Sequence, residues 1–506
     1  MSIPLPTIGV VGAGVMGVGI AQIAALAGHP VRLLDAREGA AEAAIAKLGD
    51  TLAGLVTKGK LAAEVREQAL TRLGVARSPA ELSDCGCVIE AIVELLEPKR
   101  ALLRELDAVL PPEAILASNT SSISITALAN GLARPERLVG MHFFNPVPLM
   151  KLVEVVSGAE TAPAIAQATE ALARAWGKTP VHAASTPGFI VNRIARPYYA
   201  ETLALLQERA GTPAELDACL RAAGFRMGPC ELTDLIGHDT NNLVTRSVWE
   251  ANFGDRRYQP SLVQQALVDG GRLGRKVGKG FYEGEPAKLP APTAPAQAPA
   301  LVLRGRGATV DALAARLPGV RRDPEAEWAG LAVGAGAIDL VITDGRTAAE
   351  LGANHGNPLA VIDWLLPSQA QGAALAIALG RGAGDPQEGA RRAAADALAT
   401  AGLRAVPLRD TPGLVVARTL AMLVNEASDA VWQGVCDEAA ADTAMKLGVN
   451  YPAGPFEWRA ELGEPPIVAL LDRLWAHTRS ERYRVSPPLR AATYGSTARS
   501  TARSTT

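Results

Sequence analysis

The stretch "TIGVVGAGVMGVGIAQIAALAGHPVRLLDA", residues 7–36, narrows the fold of its part of the chain more than any other. A β-branched run, Ile8 to Val11, leads into Gly12-x-Gly14-x-x-Gly17, then an apolar helix-forming segment, then a second run ending at Asp35. That order predicts one βαβ unit. Gly12 permits the tight turn, Gly14 lets the backbone approach a pyrophosphate, and Gly17 lets the helix pack close on the strand. Val15 and Met16 lie on the same loop, at the helix N-terminus whose N–H groups face the phosphates. Asp35, 18 residues beyond Gly17, stands where a carboxylate accepts both ribose hydroxyls. A 2′-phosphate beside it would be repelled by about 4 kcal/mol at an effective dielectric near 20, which Arg37 offsets only in part. NAD is therefore expected over NADP.

Strand-like runs recur at "CGCVIEAIVE", "AILASNT" and "RLVGMHFF", which predicts a doubly wound parallel sheet to about residue 185. Residues 41–77 read as two amphipathic helical stretches around "LVTKGKL", with Lys58 and Lys60 at the turn. After "STPGFIVNR" the texture becomes Ala/Leu-rich and helical as far as "GRKVGKGFYEG". There "EPAKLPAPTAPAQAPA" marks an extended linker.

Beyond the linker the chain repeats its first half in outline. "STPGFIVNRIARPYYAETLALLQE" from Ser185 realigns with "DTPGLVVARTLAMLVNEASDAVWQ" from Asp410 at an offset of 225, and "RMGPCEL" with "PAGPFEW" after one extra residue. Upstream of the second copy, "AIDLVITD", "LAVIDWLL" and "GAALAIALG" repeat a strand rhythm without a GxGxxG. The predicted fold class is thus an α/β N-terminal Rossmann-like domain plus an all-α C-terminal domain, followed by a degenerate Rossmann-like segment and a second all-α domain. The boundaries expected are 1–185, 186–284, a linker at 285–300, 301–408 and 409–486, with a disordered tail over 487–506 ending in "STARSTARSTT".

Composition excludes several classes. A net charge of −2 over 506 residues argues against a nucleic-acid or membrane-surface partner. Five cysteines without a C-x-x-C pair indicate neither a disulfide framework nor a zinc site, so no metal is expected and a reducing cytoplasm is. No export signal or membrane span is expected either.

In a doubly wound sheet, ligands bind beyond the carboxyl ends of the strands. Four polar residues fall at such places: Ser121 after "AILASNT", His142 ending "LVGMH", Glu154 within "KLVEVV", and Asn192 opening the helical domain. Singly, each has an ordinary structural reading as a helix cap, a core histidine or a paired carboxylate. Together, a histidine oriented by a carboxylate beside a nicotinamide cofactor points to NAD-dependent oxidation of a hydroxyl group.

The segments "VGAGVMG", "IEAIVELLEPKR", "ASNTSSISI", "GMHFFNPVPLMKLVEVV" and "TPGFIVNR" resemble the L-3-hydroxyacyl-CoA dehydrogenase family over residues 8–284. The resemblance implies that His142 is the general base, that Glu154 orients it, and that Ser121 and Asn192 hydrogen-bond the substrate. It places NAD contacts on Asp35, Glu94, Lys99, Ser121, Asn145 and Lys276, and CoA contacts on Lys58 and Thr51. The linker and the duplicated helical segment resemble the long bacterial form associated with phenylacetate catabolism, which implies a 3-hydroxyadipyl-CoA substrate. Arg196, four residues after Asn192, is the expected cation for its distal carboxylate, the two sharing a helix face. The second copy carries Ala417 at the position of Asn192, so one active site per chain is expected. A short-chain 3-hydroxybutyryl-CoA dehydrogenase and a non-catalytic NAD-binding structural protein are the alternatives. The association state is left open between a homodimer and a pseudo-dimer within one chain.

Overall fold

The computed structural model describes residues 6–286, 289–369, 374–379 and 388–494. The chain divides into two compact units, residues 1–193 with 434–449, and 194–433 with 450–506. Among the described residues no helix is long and apolar enough to cross a membrane.

The first unit is built on β1 (Ile8–Val11), β2 (Val31–Leu34), β3 (Leu73–Ala76), β4 (Cys87–Glu90), β5 (Ile115–Ser118), β6 (Leu138–Phe143), β7 (Leu152–Ser157) and β8 (Thr179–Ala184). They form one eight-stranded sheet in the order β3-β2-β1-β4-β5-β6-β7-β8. β1 is buried throughout, as a strand covered on both faces must be. The parallel sheet expected from the sequence ends at β6. β7 runs antiparallel to β6, and β8 parallel to β7. The connection from Phe143 to Leu152 is too short for a crossover helix and closes as a hairpin instead.

That hairpin puts His142 directly opposite Glu154 in the register.

The helix Glu438–Gly448 also belongs to this unit. Its buried face of Ala441, Ala444, Met445 and Gly448 packs on β7 and β8, and a Cβ on Gly448 would sit 2.7 Å from Leu152. The second copy is therefore split, one of its helices covering the sheet of the first unit.

The second unit contains a seven-stranded sheet in the order β10-β9-β11-β12-β13-β14-β15, from β9 (Leu301–Arg304), β10 (Arg321–Asp323), β11 (Gly330–Val333), β12 (Ile338–Ile342), β13 (Leu359–Ile362), β14 (Ala374–Leu379) and β15 (Arg404–Leu408). It is mixed, with antiparallel pairs at β9/β11, β11/β12 and β13/β14.

Beside that sheet the two helical copies meet. Helix Arg196–Gln207 packs against helix Val416–Trp432, and the contacts are reciprocal at the repeat offset. Arg257 and Tyr258 donate to Glu426, while Arg482 and Tyr483 donate to Glu201. Each residue of one set lies 225 positions from its counterpart in the other. Residue i of one copy touching j of the other, and j touching i, is the pattern of a twofold dimer interface. Here it is closed within one chain.

The tail expected to be disordered from residue 487 is helical over 487–494, because Leu489 is buried and Arg490 donates to Asp472. Residues 495–506 lie outside the described residues.

Candidate active site

The glycine loop has the shape a dinucleotide needs. Gly12 takes φ +111°, and a Cβ there would lie 2.5 Å from the Ala91 carbonyl oxygen. A Cβ on Gly17 would lie 1.8 Å from the Gly12 carbonyl oxygen, whereas one on Gly14 would meet nothing within 4 Å. Two glycines thus close the strand-to-helix turn, and the third leaves its outer face open. The helix Val15–Leu26 starts there with no side chain capping its N-terminus. At the end of β2, Asp35 accepts from the Ala13 amide at 2.8 Å and from Arg37 Nε at 3.0 Å. The Arg37 guanidinium holds its carboxyl down to about 2 despite partial burial.

On the other side of β1, a second constellation is tied together by carboxylates. Glu90, fully buried at the end of β4, accepts from Lys99 Nζ at 2.6 Å, Ser118 Oγ at 2.6 Å and the Ile92 amide at 2.7 Å. Glu94 accepts from the Ser121 amide at 2.8 Å, the Ser122 amide at 3.0 Å and Thr120 Oγ1 at 2.7 Å. Burial works against its ionisation, but Lys99 and the bonds from Thr120 and Ser121 hold the carboxyl below its ordinary value. Lys99 is itself buried and bridges Glu90 to Glu94.

His142 Nδ1 lies 2.5 Å from Glu154 Oε2. The other oxygen of Glu154 accepts from the Ile190 amide at 3.0 Å and the Val191 amide at 2.9 Å. This single buried carboxylate thus orients the imidazole and anchors the turn leading into Asn192. With the Nδ1 hydrogen directed at Glu154, Nε2 presents its lone pair. Phe144 and Phe189 flank the ring at centroid distances of 4.5 and 5.8 Å. Asn192 Nδ2 donates to the Ser121 carbonyl at 3.4 Å, so Ser121, His142, Glu154 and Asn192 form one connected group. A histidine with a fixed tautomer, an exposed loop of hydroxyls and amides, and an open glycine turn on one sheet suit proton removal from a hydroxyl beside a bound dinucleotide.

Family models match along most of the chain. The 3-hydroxyacyl-CoA dehydrogenase NAD binding domain matches residues 7–186, and the C-terminal domain of that enzyme matches 188–284 and again 413–501. The chain belongs to the 3-hydroxyacyl-CoA dehydrogenase family. A 3-hydroxybutyryl-CoA dehydrogenase reduced Rossmann-fold domain matches residues 340–412. The 3-hydroxyadipyl-CoA dehydrogenase of Escherichia coli K12 is 44% identical over 494 residues, covering 97% of this chain and 98% of the relative. The 3-hydroxybutyryl-CoA dehydrogenase of Bradyrhizobium diazoefficiens is 43% identical but covers 58% of this chain. A crystal structure of a 3-hydroxybutyryl-CoA dehydrogenase from E. coli K12 superposes with a TM-score of 0.87 at 42% identity, covering 97% of this chain and 98% of that one. The protein is an NAD-dependent 3-hydroxyacyl-CoA dehydrogenase, and the glycine loop with Asp35 fits NAD.

The remaining residues singled out in the sequence are more dispersed. Asn145 is exposed in the hairpin tip, before a cis peptide bond to Pro146. Thr51 and Lys58 are exposed on and after the helix Ala40–Thr57. Lys276 and Arg196 belong to the second unit. Lys276 pairs with Asp239 at 2.6 Å, and Arg196 is buried, donating to Thr245 Oγ1 at 3.0 Å. The single helix expected to carry Asn192 and Arg196 on one face is interrupted at Ala195, between Val191–Ile194 and Arg196–Gln207.

Three contributors are missing from the sequence expectations. Glu90 ends a strand-like run four residues before Glu94 in "CVIEAIVE", and a carboxylate at a strand end is the signal that could have found it. Asn119 Oδ1 accepts from the Phe143 amide at 2.9 Å, tying β5 to β6. Lys178 donates to the Val147 and Met150 carbonyls in the hairpin tip between His142 and Glu154. Burial, with the neighbouring Lys151 charge, pulls its ammonium down to about 8.

Proposed function

We propose that this dehydrogenase oxidises the 3-hydroxyl of a (3S)-3-hydroxyadipyl-CoA thioester. The observation that carries this reading is the match to a 3-hydroxyadipyl-CoA dehydrogenase over 97% of this chain and 98% of that one, including the linker and the second copy. NAD, when bound, accepts the hydride from C3. Nε2 of His142 takes the hydroxyl proton, and Glu154 stabilises the imidazolium that forms. Ser121 and Asn192 hold the reacting oxygen and the thioester end. Asp35 bonds the ribose. Glu94 and Asn145 face the nicotinamide side, Lys99 acts there through Glu94, and Lys276 completes the cofactor contacts. Lys58 and Thr51 meet the CoA moiety, and Arg196 the distal carboxylate. The reciprocal contacts between helical copies support a pseudo-dimer within one chain, and free, mostly buried cysteines suit a reducing cytoplasm.

The name of the E. coli structure, a 3-hydroxybutyryl-CoA dehydrogenase, favours a second reading with a shorter acyl chain. Steady-state kinetics with NAD and the 3-hydroxyadipyl, 3-hydroxybutyryl and 3-hydroxyhexanoyl thioesters separate the two. The adipyl reading requires the highest kcat/KM on the dicarboxylic substrate, and a preference for the butyryl thioester would replace it.

A further inference from the structure

Around Ala200 the reciprocity of the two helical copies fails. In the second copy, Asn425 Nδ2 donates to the Arg484 carbonyl at 2.9 Å, and the Ser486 amide donates back to Asn425 Oδ1 at 2.7 Å. Arg257 Nη2 donates to the same Arg484 carbonyl at 2.6 Å. The counterparts of Asn425, Arg484 and Ser486 at the 225-residue offset are Ala200, Gln259 and Ser261. With alanine in place of the amide, the equivalent space stays open among the described residues. A cavity of 230 Å³ stands there, lined by Ala200, Gln259, Ser261, Arg196, Thr245 and Arg482 among others.

Two arginines line the cavity, Arg196 and Arg482. Arg482 is the counterpart of Arg257, and its Nε is held by Glu201 at 2.7 Å. Its Nη2, buried, has no hydrogen-bond partner among the described residues, whereas Arg257 Nη2 found the Arg484 carbonyl. A buried donor left without an acceptor is a cost to the fold. Arg196 lines the cavity too, where the second copy has Ala421. Its guanidinium lies 4.9 Å over the Tyr199 ring, and burial lowers its pKa. The first copy has therefore exchanged an amide for a methyl and a methyl for a guanidinium within one helical turn.

We propose that this cavity, lined by Arg196 and Arg482, is a binding site for a small aliphatic carboxylate. A planar carboxylate has two acceptor oxygens to offer two guanidinium groups, and 230 Å³ far exceeds the ~30 Å³ share of a single water. The carboxylate comes either from the distal end of the acyl chain, an arm that rests on the adipyl reading above, or from a separate dicarboxylic acid.

Ala200→Asn, which restores the residue of the second copy, tests the site by filling it. Adipate binding to the wild-type protein, followed by calorimetry, is expected and is expected to be lost in Ala200→Asn. If the acyl chain supplies the carboxylate, the ratio of kcat/KM for the adipyl over the hexanoyl thioester also falls about 10- to 100-fold, the range of a charge-assisted hydrogen bond. If a separate acid supplies it, adipate binding is lost and the ratio holds. Arg196→Leu, assayed the same way, serves should the asparagine variant fail to fold. No adipate binding to wild type, together with an unchanged ratio in both variants, would overturn the proposal. A wild-type enzyme that prefers the butyryl thioester would overturn the adipyl reading alone, because adipate binding still tests the cavity.

Discussion

His142 and Glu154 face each other across two antiparallel strands, with Nδ1 2.5 Å from Oε2. Because Glu154 also receives the Ile190 and Val191 amides, the imidazole cannot turn without loosening the segment that carries Asn192. His142→Gln should lower kcat by about 10²- to 10⁴-fold, the usual worth of a general base. NADH affinity, measured by fluorescence titration, should stay close to wild type, since the dinucleotide is held by the glycine loop and Asp35 while the imidazole acts on the substrate proton. An equal loss of NADH binding would make His142 a structural residue.

Asp35 holds the Arg37 guanidinium as well as the Ala13 amide. Its removal leaves the Arg37 charge unbalanced and turns the end of β2 from neutral to cationic. Asp35→Ala should raise KM for NAD about 10- to 100-fold, as expected for losing a charge-assisted bond to the ribose, and should lower KM for NADP. Unchanged KM values for both cofactors would mean the ribose lies elsewhere.

Lys178 supplies a pH dependence whose sign is set by burial. Its ammonium is pulled down to about 8 in the folded protein, against about 10.4 in an unfolded chain. Between these values the unfolded chain binds more protons, so this group makes stability rise with pH. The contribution is complete above about 10.4 and lost as pH falls through about 8. Urea midpoints across the range from neutral to alkaline pH should show that rise in wild type, and Lys178→Met should flatten it. Parallel curves would show that Lys178 titrates normally.

Glu201 and Glu426 occupy equivalent places in the two helical copies, each buried and each receiving an arginine and a tyrosine of the other copy. Removing one partner of a buried ion pair strands the other charge, at about 3–5 kcal/mol. Glu201→Ala and Glu426→Ala should each destabilise the protein on that scale in urea unfolding. Truncation after Gly284 removes the partner of the helix Arg196–Gln207 altogether, and sedimentation should show a dimer or an aggregate. A stable, fully active monomer would mean that the helical copies do not depend on each other.

The glycine turn, the strand rhythm and the repeat offset are local patterns, and residues within a few positions of one another carry them. The family motifs point to His142, Glu154, Ser121 and Asn192 without any geometry, because the chemistry needs those residue types at those strand ends. The features that sequence leaves open involve partners far apart along the chain. Glu154 meets the Val191 amide 37 residues away, and Glu201 meets Arg482 at a separation of 281. The reversal of β7, the helix Glu438–Gly448 lying on the first sheet, and the cavity left by Ala200 all depend on which surfaces bury each other. Local pattern encodes an element and its apolar face; only packing decides which face it meets, and with that which buried charges find a partner and which space stays open.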